Sequence, residues 1–163
     1  NHSDNSLLDG AQTINTIINT MDDLSMDSVA LTEHGNLFGA ISFYNQARSS
    51  GVKPIIGCEV YVAKGSRFDK EKTIRGGNYN HLVLIAQNLE GYKNLMKLVT
   101  AGYLEGFYYR PRIDMDLLRE YSEGLICMSA CLKGVVPEKM LKGYYEGARK
   151  EALLFSEIFQ DRY

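Results

Sequence analysis

The sequence predicts an α/β fold with a mostly parallel sheet, arranged as a barrel that is not closed. Short apolar runs alternate with segments of helical periodicity over all 163 residues, which is the pattern of successive βα units. Ionisable residues recur beside the ends of the apolar runs, where folds of this kind collect their functional groups. The alternation reaches Tyr163 where another strand is due. We therefore expect residues 1–163 to form one partial barrel domain.

The N-terminal part is predicted to contain two helices with a strand between them. Residues 28–32 form a short apolar run typical of a buried strand. Asn36 suits the N-cap of a helix over 37–50, and Gly51 suits its end. A preceding helix over 12–25 is indicated by apolar residues at helical spacing: Ile14, Ile17, Ile18, Met21 and Leu24.

The middle of the chain is predicted to contain two strands separated by a long loop. Residues 55–63 form a long apolar run, in which Gly57 indicates a bulge or the close approach of another group. Residues 64–80 carry five basic and two acidic residues without periodicity, and this loop could either follow a nucleic-acid backbone or simply be solvated. Residues 81–86 return as a strand, and Asn88 suits the N-cap of the next helix.

The C-terminal part continues the alternation. Asp114 suits the N-cap of a short helix over 115–121, and 124–129 form the next strand. Pro137 favours the first turn of another helix, and 144–159 are amphipathic.

Composition excludes several classes of protein. The 18 Lys and Arg against 20 Asp and Glu leave a net charge of −2, and 45% of residues are hydrophobic, so the chain is expected to be globular. No apolar run approaches the roughly 18 residues that a membrane span needs. Three cysteines are too few for a disulfide framework, which predicts reduced thiols and a cytoplasmic protein. Without a basic excess, any contact with DNA must be local.

Six residues are candidate metal ligands because they fall beside the predicted strands. Four come from different βα units, and two precede the first helix. Glu59 is the strongest candidate, since a carboxylate inside an apolar strand needs a partner that offsets its desolvation. The six are His2, Asp9, His34, Glu59, His81 and Cys131.

Structural interpretations compete with a metal site at several of these positions. His81 could be a hydrogen-bonded residue at a strand start, and Asp9 could cap the first helix. Cys131 could be a small buried hydrophobe, as free cysteines usually are. Cys58 is expected to face the core by strand alternation. The spacing of Cys127 and Cys131 spans a strand and a turn, so no zinc knuckle is expected there.

The same residues lie in segments that resemble the PHP (polymerase and histidinol phosphatase) domain family. More narrowly, they resemble the PHP domains at the N-terminus of bacterial replicative DNA polymerases. The resemblance extends over essentially the whole chain. Its segments are 2–4 (HSD), 6–10 (SLLDG), 30–39 (ALTEHGNLFG) and 53–61 (KPIIGCEVY), with shorter matches at 80–84, 91–95, 123–126 and 129–132.

The resemblance implies a distorted TIM-like (β/α)7 barrel, truncated here at both ends, with a cluster of up to three divalent metal ions. The six candidates match six of the nine family ligands. The first family histidine would precede Asn1, and a late Asp and His would follow Tyr163. Glu33 stands where the family usually has Asp, and we do not assign it as a ligand. Imidazole, carboxylate and thiolate donors favour Zn²⁺ or Mn²⁺ over Mg²⁺ or Ca²⁺.

The resemblance also implies function. The parent protein would be a DNA-directed DNA polymerase, a nucleotidyltransferase that acts in DNA replication with DNA and other polymerase subunits as partners. Its polymerase site would lie outside this chain, which would carry at most part of a metal-dependent 3′–5′ exonuclease or phosphoesterase site. We assign no catalytic residue. The alternatives are a freestanding phosphatase, such as histidinol phosphatase, and a structural domain without activity.

One further segment has two interpretations. Residues 107–112 (FYYRPR) interleave aromatic rings with arginines, a composition that can stack and clamp a single strand of nucleic acid. An aromatic turn packed against the barrel has the same composition.

Overall fold

The computed structural model describes residues 1–70 and 79–163. Within these ranges, no helix is long and apolar enough to cross a membrane. The strands are β1 (Ser28–His34), β2 (Lys53–Ala63), β3 (Tyr79–Ala86), β4 (Arg112–Ile113) and β5 (Leu125–Met128). The helices are α1 (Ile14–Asp23), α2 (Ala40–Ser49), α3 (Leu89–Leu104), α4 (Met115–Glu120), α5 (Val135–Leu141) and α6 (Tyr145–Phe159), followed by a 3₁₀ turn at Gln160–Arg162.

The sheet is mixed, which corrects the expectation of a mostly parallel sheet. Its strand order is β1-β2-β3-β5, with β1 parallel to β2 and β3 antiparallel to both β2 and β5. A parallel crossover needs a dozen or more residues, usually with a helix. Residues 64–70, the described part of the connection from β2 to β3, contain no helix, and the chain returns antiparallel to β2. The predicted loop over 64–80 lies partly outside the described residues, and its last two residues belong to β3.

One edge of β2 is shared by two short neighbours. β1 pairs with β2 as far as His34, which lies beside Glu59. β4, which the sequence did not predict, pairs with the same edge two residues later, where Arg112 lies beside Tyr61. The end of β1 and the start of β4 therefore lie next to each other along the same edge of β2. The chain segments that follow β1 and precede β4 can enclose a site there.

The helices pack on one face of the sheet. α1 and α2 cover β1 with one apolar cluster, while α3, α4 and α6 cover β2, β3 and β5 with another. Cys58 belongs to the second cluster and is fully buried, which confirms its predicted direction. The predicted close approach at Gly57 is also confirmed, because a Cβ atom there would lie 2.6 Å from the Leu84 carbonyl oxygen.

The predicted helix caps give two confirmations and one correction. The Asn88 and Asp114 side chains accept hydrogen bonds from Gly91 N and Leu117 N and cap α3 and α4. Asn36 does not cap α2, whose N-cap is Gly39. Asn36 instead donates to the carbonyl oxygens of Asn5 and His34. A tertiary contact with the N-terminal segment therefore displaces the local capping role.

Candidate metal centre

All six predicted ligands meet at one end of the sheet: His2, Asp9, His34, Glu59, His81 and Cys131. The antiparallel direction of β3 is what brings His81 into the group. Because β3 runs against β1 and β2, its first residues lie beside the ends of those strands. A parallel β3 would have carried His81 to the opposite end of the sheet.

Glu59 is the centre of the group. Glu59 is only 6% exposed, and its carboxylate contacts the His81 Nδ1 atom. The His2 Nε2 and His34 Nδ1 atoms each lie 3.6 Å from a Glu59 oxygen. Burial raises the pKa of Glu59, but the His81 contact and the charges of the three histidines outweigh burial and lower it overall. The carboxylate is therefore ionised at neutral pH.

Three further contacts orient the imidazole rings of His2 and His34. His2 stacks on His34 with ring centroids 4.0 Å apart, and the His2 Nδ1 atom lies 2.7 Å from the Thr32 carbonyl oxygen. A hydrogen bond to that carbonyl places the ring proton on Nδ1 and leaves His2 Nε2 free to bind a cation. The Asp9 carboxylate lies 2.8 Å from His34 Nε2 and orients the His34 ring.

Cys131 completes the group from the turn after β5. Its Sγ atom lies 3.5 Å from His81 Nδ1 and accepts a hydrogen bond from Lys133 N. The residue is exposed, which argues against the alternative of a small buried hydrophobe. Burial raises the pKa of the Cys127 thiol to about 12, and Cys127 lies in the core. The two cysteines therefore do not form a common site.

The donor atoms fit divalent metal ions. Donor atoms within 4.8 Å of one another form two groups, His2–His34–Glu59 and Glu59–His81–Cys131, which share the Glu59 carboxylate. His34 Nδ1 is buried without a hydrogen-bond partner among residues 1–70 and 79–163, whereas Glu59 Oε1 is in contact with His81 Nδ1. Buried donors and acceptors are normally satisfied, so His34 Nδ1 is suited to ligate a cation. A shared carboxylate suits a site with more than one ion.

Glu33 has a structural role at this centre that the sequence did not reveal. It is 1% exposed and points to the face of β1 opposite His34. Its oxygens accept hydrogen bonds from Ser3 N at 3.0 and 3.1 Å, and from the Ser3 and Ser6 hydroxyls. Glu33 thus anchors the N-terminal segment that carries two of the six candidate ligands. An acidic residue at a core-facing position of a strand was the available signal.

Comparison with known proteins assigns the family. The sequence model described as the PHP domain matches residues 1–163.

The chain belongs to the PHP domain family.

Relatives of this PHP domain are named DNA polymerase III subunit alpha. The protein of that name from Borreliella burgdorferi is 54% identical over 97% of this chain and 14% of its own length. The one from Thermus aquaticus is 44% identical over 99% of this chain and 14% of its own length. The PHP domain therefore spans about one seventh of these relatives. Among solved structures, an amidohydrolase from Chromobacterium violaceum is similar at 23% identity over 61% of this chain and 30% of that chain, with a TM-score of 0.43.

A cavity of about 390 Å³ opens beside the metal centre of the PHP domain. Its lining includes His34, His81 and Asp9 together with residues of the 107–111 segment. The packing interpretation of residues 107–112 is confirmed for Arg112, whereas binding of a single strand by this segment stays a prediction. Arg112 is fully buried and donates to backbone carbonyl oxygens, so it cannot bind a ligand. Phe107 and Arg110 line the cavity.

Proposed function

We propose that this PHP domain is a metal-dependent phosphoesterase domain of a bacterial DNA polymerase III alpha subunit. The observation that carries the proposal is the convergence of six ligand-type side chains, among them the buried, ionised Glu59 and His34, whose Nδ1 atom has no hydrogen-bond partner among the described residues. The parent protein is then a DNA-directed DNA polymerase whose nucleotidyl-transfer site lies outside residues 1–163. The relatives named above support this parent over a freestanding phosphatase.

The six ligands are proposed to bind divalent ions, with Zn²⁺ or Mn²⁺ as the best match to the mixed donor set. When bound, such ions would activate water and stabilise the charge that develops during hydrolysis of a phosphoester. The protein itself orients the ligands and supplies negative charge for the ions. Asp9 orients the His34 ring, and the Thr32 carbonyl fixes the tautomer of His2. Glu59 supplies the negative charge that two groups of ligands share.

We infer that the sheet forms part of a distorted (β/α)7 barrel. The helices pack on one face of the sheet, whereas the opposite face, which carries the metal centre at one end, is uncovered. Apolar residues on that opposite face are only half-buried: Ala30, Ile55, Val83, Ile85 and Ile126. A closed barrel would bury this face as its interior. A structure of the full-length protein in which no further strands complete the sheet would contradict this inference.

With this parent protein, we also propose that DNA and the other subunits of the replicative polymerase are its partners and that it is located in the cytoplasm.

The deciding experiment is the substitution Glu59→Gln in the full-length protein. The amide keeps the shape of the side chain but removes the charge shared by the ligand groups. We expect metal-dependent release of 3′-terminal nucleotides to fall by more than about 100-fold, with bound metal reduced and nucleotide polymerisation retained. Glu157→Gln, on an exposed position of α6, is the matched control.

Each alternative function has a distinct outcome in this experiment. Equal loss of hydrolysis and polymerisation would mean that Glu59 supports the fold. A wild-type protein that binds metal but hydrolyses no phosphoester would support the structural domain. Hydrolysis of small phosphate monoesters in preference to nucleic acid would support the phosphatase.

A further inference from the structure

Three aromatic rings form an exposed wall at the mouth of the cavity. Phe38 comes from the turn before α2, Tyr103 from the last turns of α3, and Phe107 from the loop that follows α3. The residues are 71%, 39% and 49% exposed. Their ring centroids are 6.4 Å apart from Phe38 to Tyr103 and 6.2 Å apart from Tyr103 to Phe107, and the second pair is stacked with an interplanar angle of 24°.

The arrangement of this aromatic wall favours a binding role. Rings that serve only packing are normally buried, whereas a contiguous exposed apolar surface beside a cavity is typical of a ligand site. The rings come from two segments that are distant in sequence, one with Phe38 and one with Tyr103 and Phe107, and all three line the same cavity as His34 and His81.

Two cationic side chains line the same cavity. Arg110 and Lys133 form no ion pair with a carboxylate among residues 1–70 and 79–163. The Arg110 guanidinium carbon lies 5.7 Å from the centroid of the Tyr61 ring, which in turn stacks beside His34. The cations therefore lie next to the metal centre, where a substrate phosphate would be bound.

We propose that Phe38, Tyr103 and Phe107 stack on an unpaired base at the end of a single-stranded nucleic acid, while Arg110 and Lys133 bind its phosphates. This inference rests on the proposed phosphoesterase function and specifies the substrate group that enters the site. An apolar wall next to two cations that form no ion pair among the described residues complements a nucleotide, which joins a planar ring to an anion. Stacking on aromatic side chains tolerates any base. Bases inside a duplex are covered by their neighbours, so the wall requires an unpaired end.

Photocrosslinking tests base stacking without relying on hydrolysis. The full-length protein, with metal removed by chelation, is irradiated with an oligonucleotide whose 3′-terminal base is 5-iodouracil, and crosslinked peptides are mapped by mass spectrometry. We expect crosslinks in the peptides that carry the aromatic wall. The triple variant Phe38→Leu, Tyr103→Leu and Phe107→Leu should lose this product by at least about fivefold. Phe107→Leu alone, which changes a half-exposed ring, should give a smaller loss in the same direction.

Tyr145→Leu is the matched control. Tyr145 is 66% exposed and lies on α6 away from the cavity, so its loss should leave the crosslink unchanged. Crosslinks that map elsewhere, that survive in the triple variant, or that form equally with a fully paired 3′ end would overturn the proposal.

A second measurement separates this proposal from the proposed function. With metal restored, KM is compared for single strands that end in a normal nucleotide or in an abasic sugar. We expect the abasic end to raise KM by at least about fivefold in the wild type and not in the triple variant. Hydrolysis with equal KM for both ends would overturn base stacking and leave the phosphoesterase function intact. Crosslinking at the aromatic wall without any hydrolysis would support base stacking and overturn the phosphoesterase function.

Discussion

Removing the charge of Glu33 should loosen the N-terminal segment without touching the six ligands. In Glu33→Gln, one carboxylate oxygen is replaced by an amide nitrogen, which cannot accept hydrogen bonds. The Ser3 backbone N–H and the Ser3 and Ser6 hydroxyls all donate to the Glu33 carboxylate. A hydroxyl can rotate and accept from the new amide, so the net loss is about one charge-assisted hydrogen bond, or about 2 kcal/mol. That free energy corresponds to about 30-fold in the docking equilibrium of the segment.

Two assays measure this change in the full-length protein. The Thr32 amide donates to the Asn1 carbonyl oxygen, so its hydrogen-exchange protection should fall by about 30-fold when the segment loosens. Metal affinity, measured by calorimetric titration, should fall by about 10- to 100-fold, as is usual when a residue that supports ligands is lost. Glu33→Asp keeps the charge but shortens the side chain and should lie between the wild type and Glu33→Gln.

The control substitution for these assays is Glu157→Gln, which changes the same atoms on an exposed face. Unchanged protection of Thr32 in Glu33→Gln would refute the anchoring role. A loss of global stability with no change in metal affinity would show instead that Glu33 supports the core alone.

Three other predictions concern single sites. Gly57→Ala should lower the free energy of unfolding in urea by about 1–3 kcal/mol, since the new methyl group would lie 2.6 Å from a carbonyl oxygen; an unchanged denaturation midpoint would contradict the close approach. The hydrogen bond from Lys142 outweighs partial burial and lowers the pKa of Glu138 from 4.5 to about 2. Its stabilisation of about 1 kcal/mol is present above the ordinary pKa and is lost as the pH falls towards about 2, so Glu138→Gln should flatten acid denaturation curves in that window. Iodoacetamide should modify exposed Cys131 in the folded protein and spare the two buried cysteines, and added Zn²⁺ should protect Cys131. Modification of Cys131 at equal rates with and without Zn²⁺ would refute its place at the metal centre.

The sequence by itself determined the features that depend on neighbouring residues. The apolar spacing in α1 predicted its buried stripe at Ile14, Ile17, Ile18 and Met21, but not at Leu24, which lies at the C-cap and is 61% exposed. The Asn88 and Asp114 caps of α3 and α4 were predicted correctly. These signals act within one or two turns of helix, so no knowledge of distant segments is needed. The six candidate ligands were found through their positions beside strands and through resemblance to the PHP family, and the structure brings them together.

Only the tertiary structure decided the features that depend on pairing between distant segments. The direction of β3 is set by how its connection crosses the sheet, and local periodicity is the same for either direction. The role of Glu33 depends on an N-terminal segment about 30 residues away in sequence. The aromatic wall similarly requires the turn before α2 to meet the C-terminal end of α3. Local sequence patterns do not distinguish these alternative arrangements, because contacts between distant segments select among them. These parts of the site could therefore be identified only from the tertiary structure.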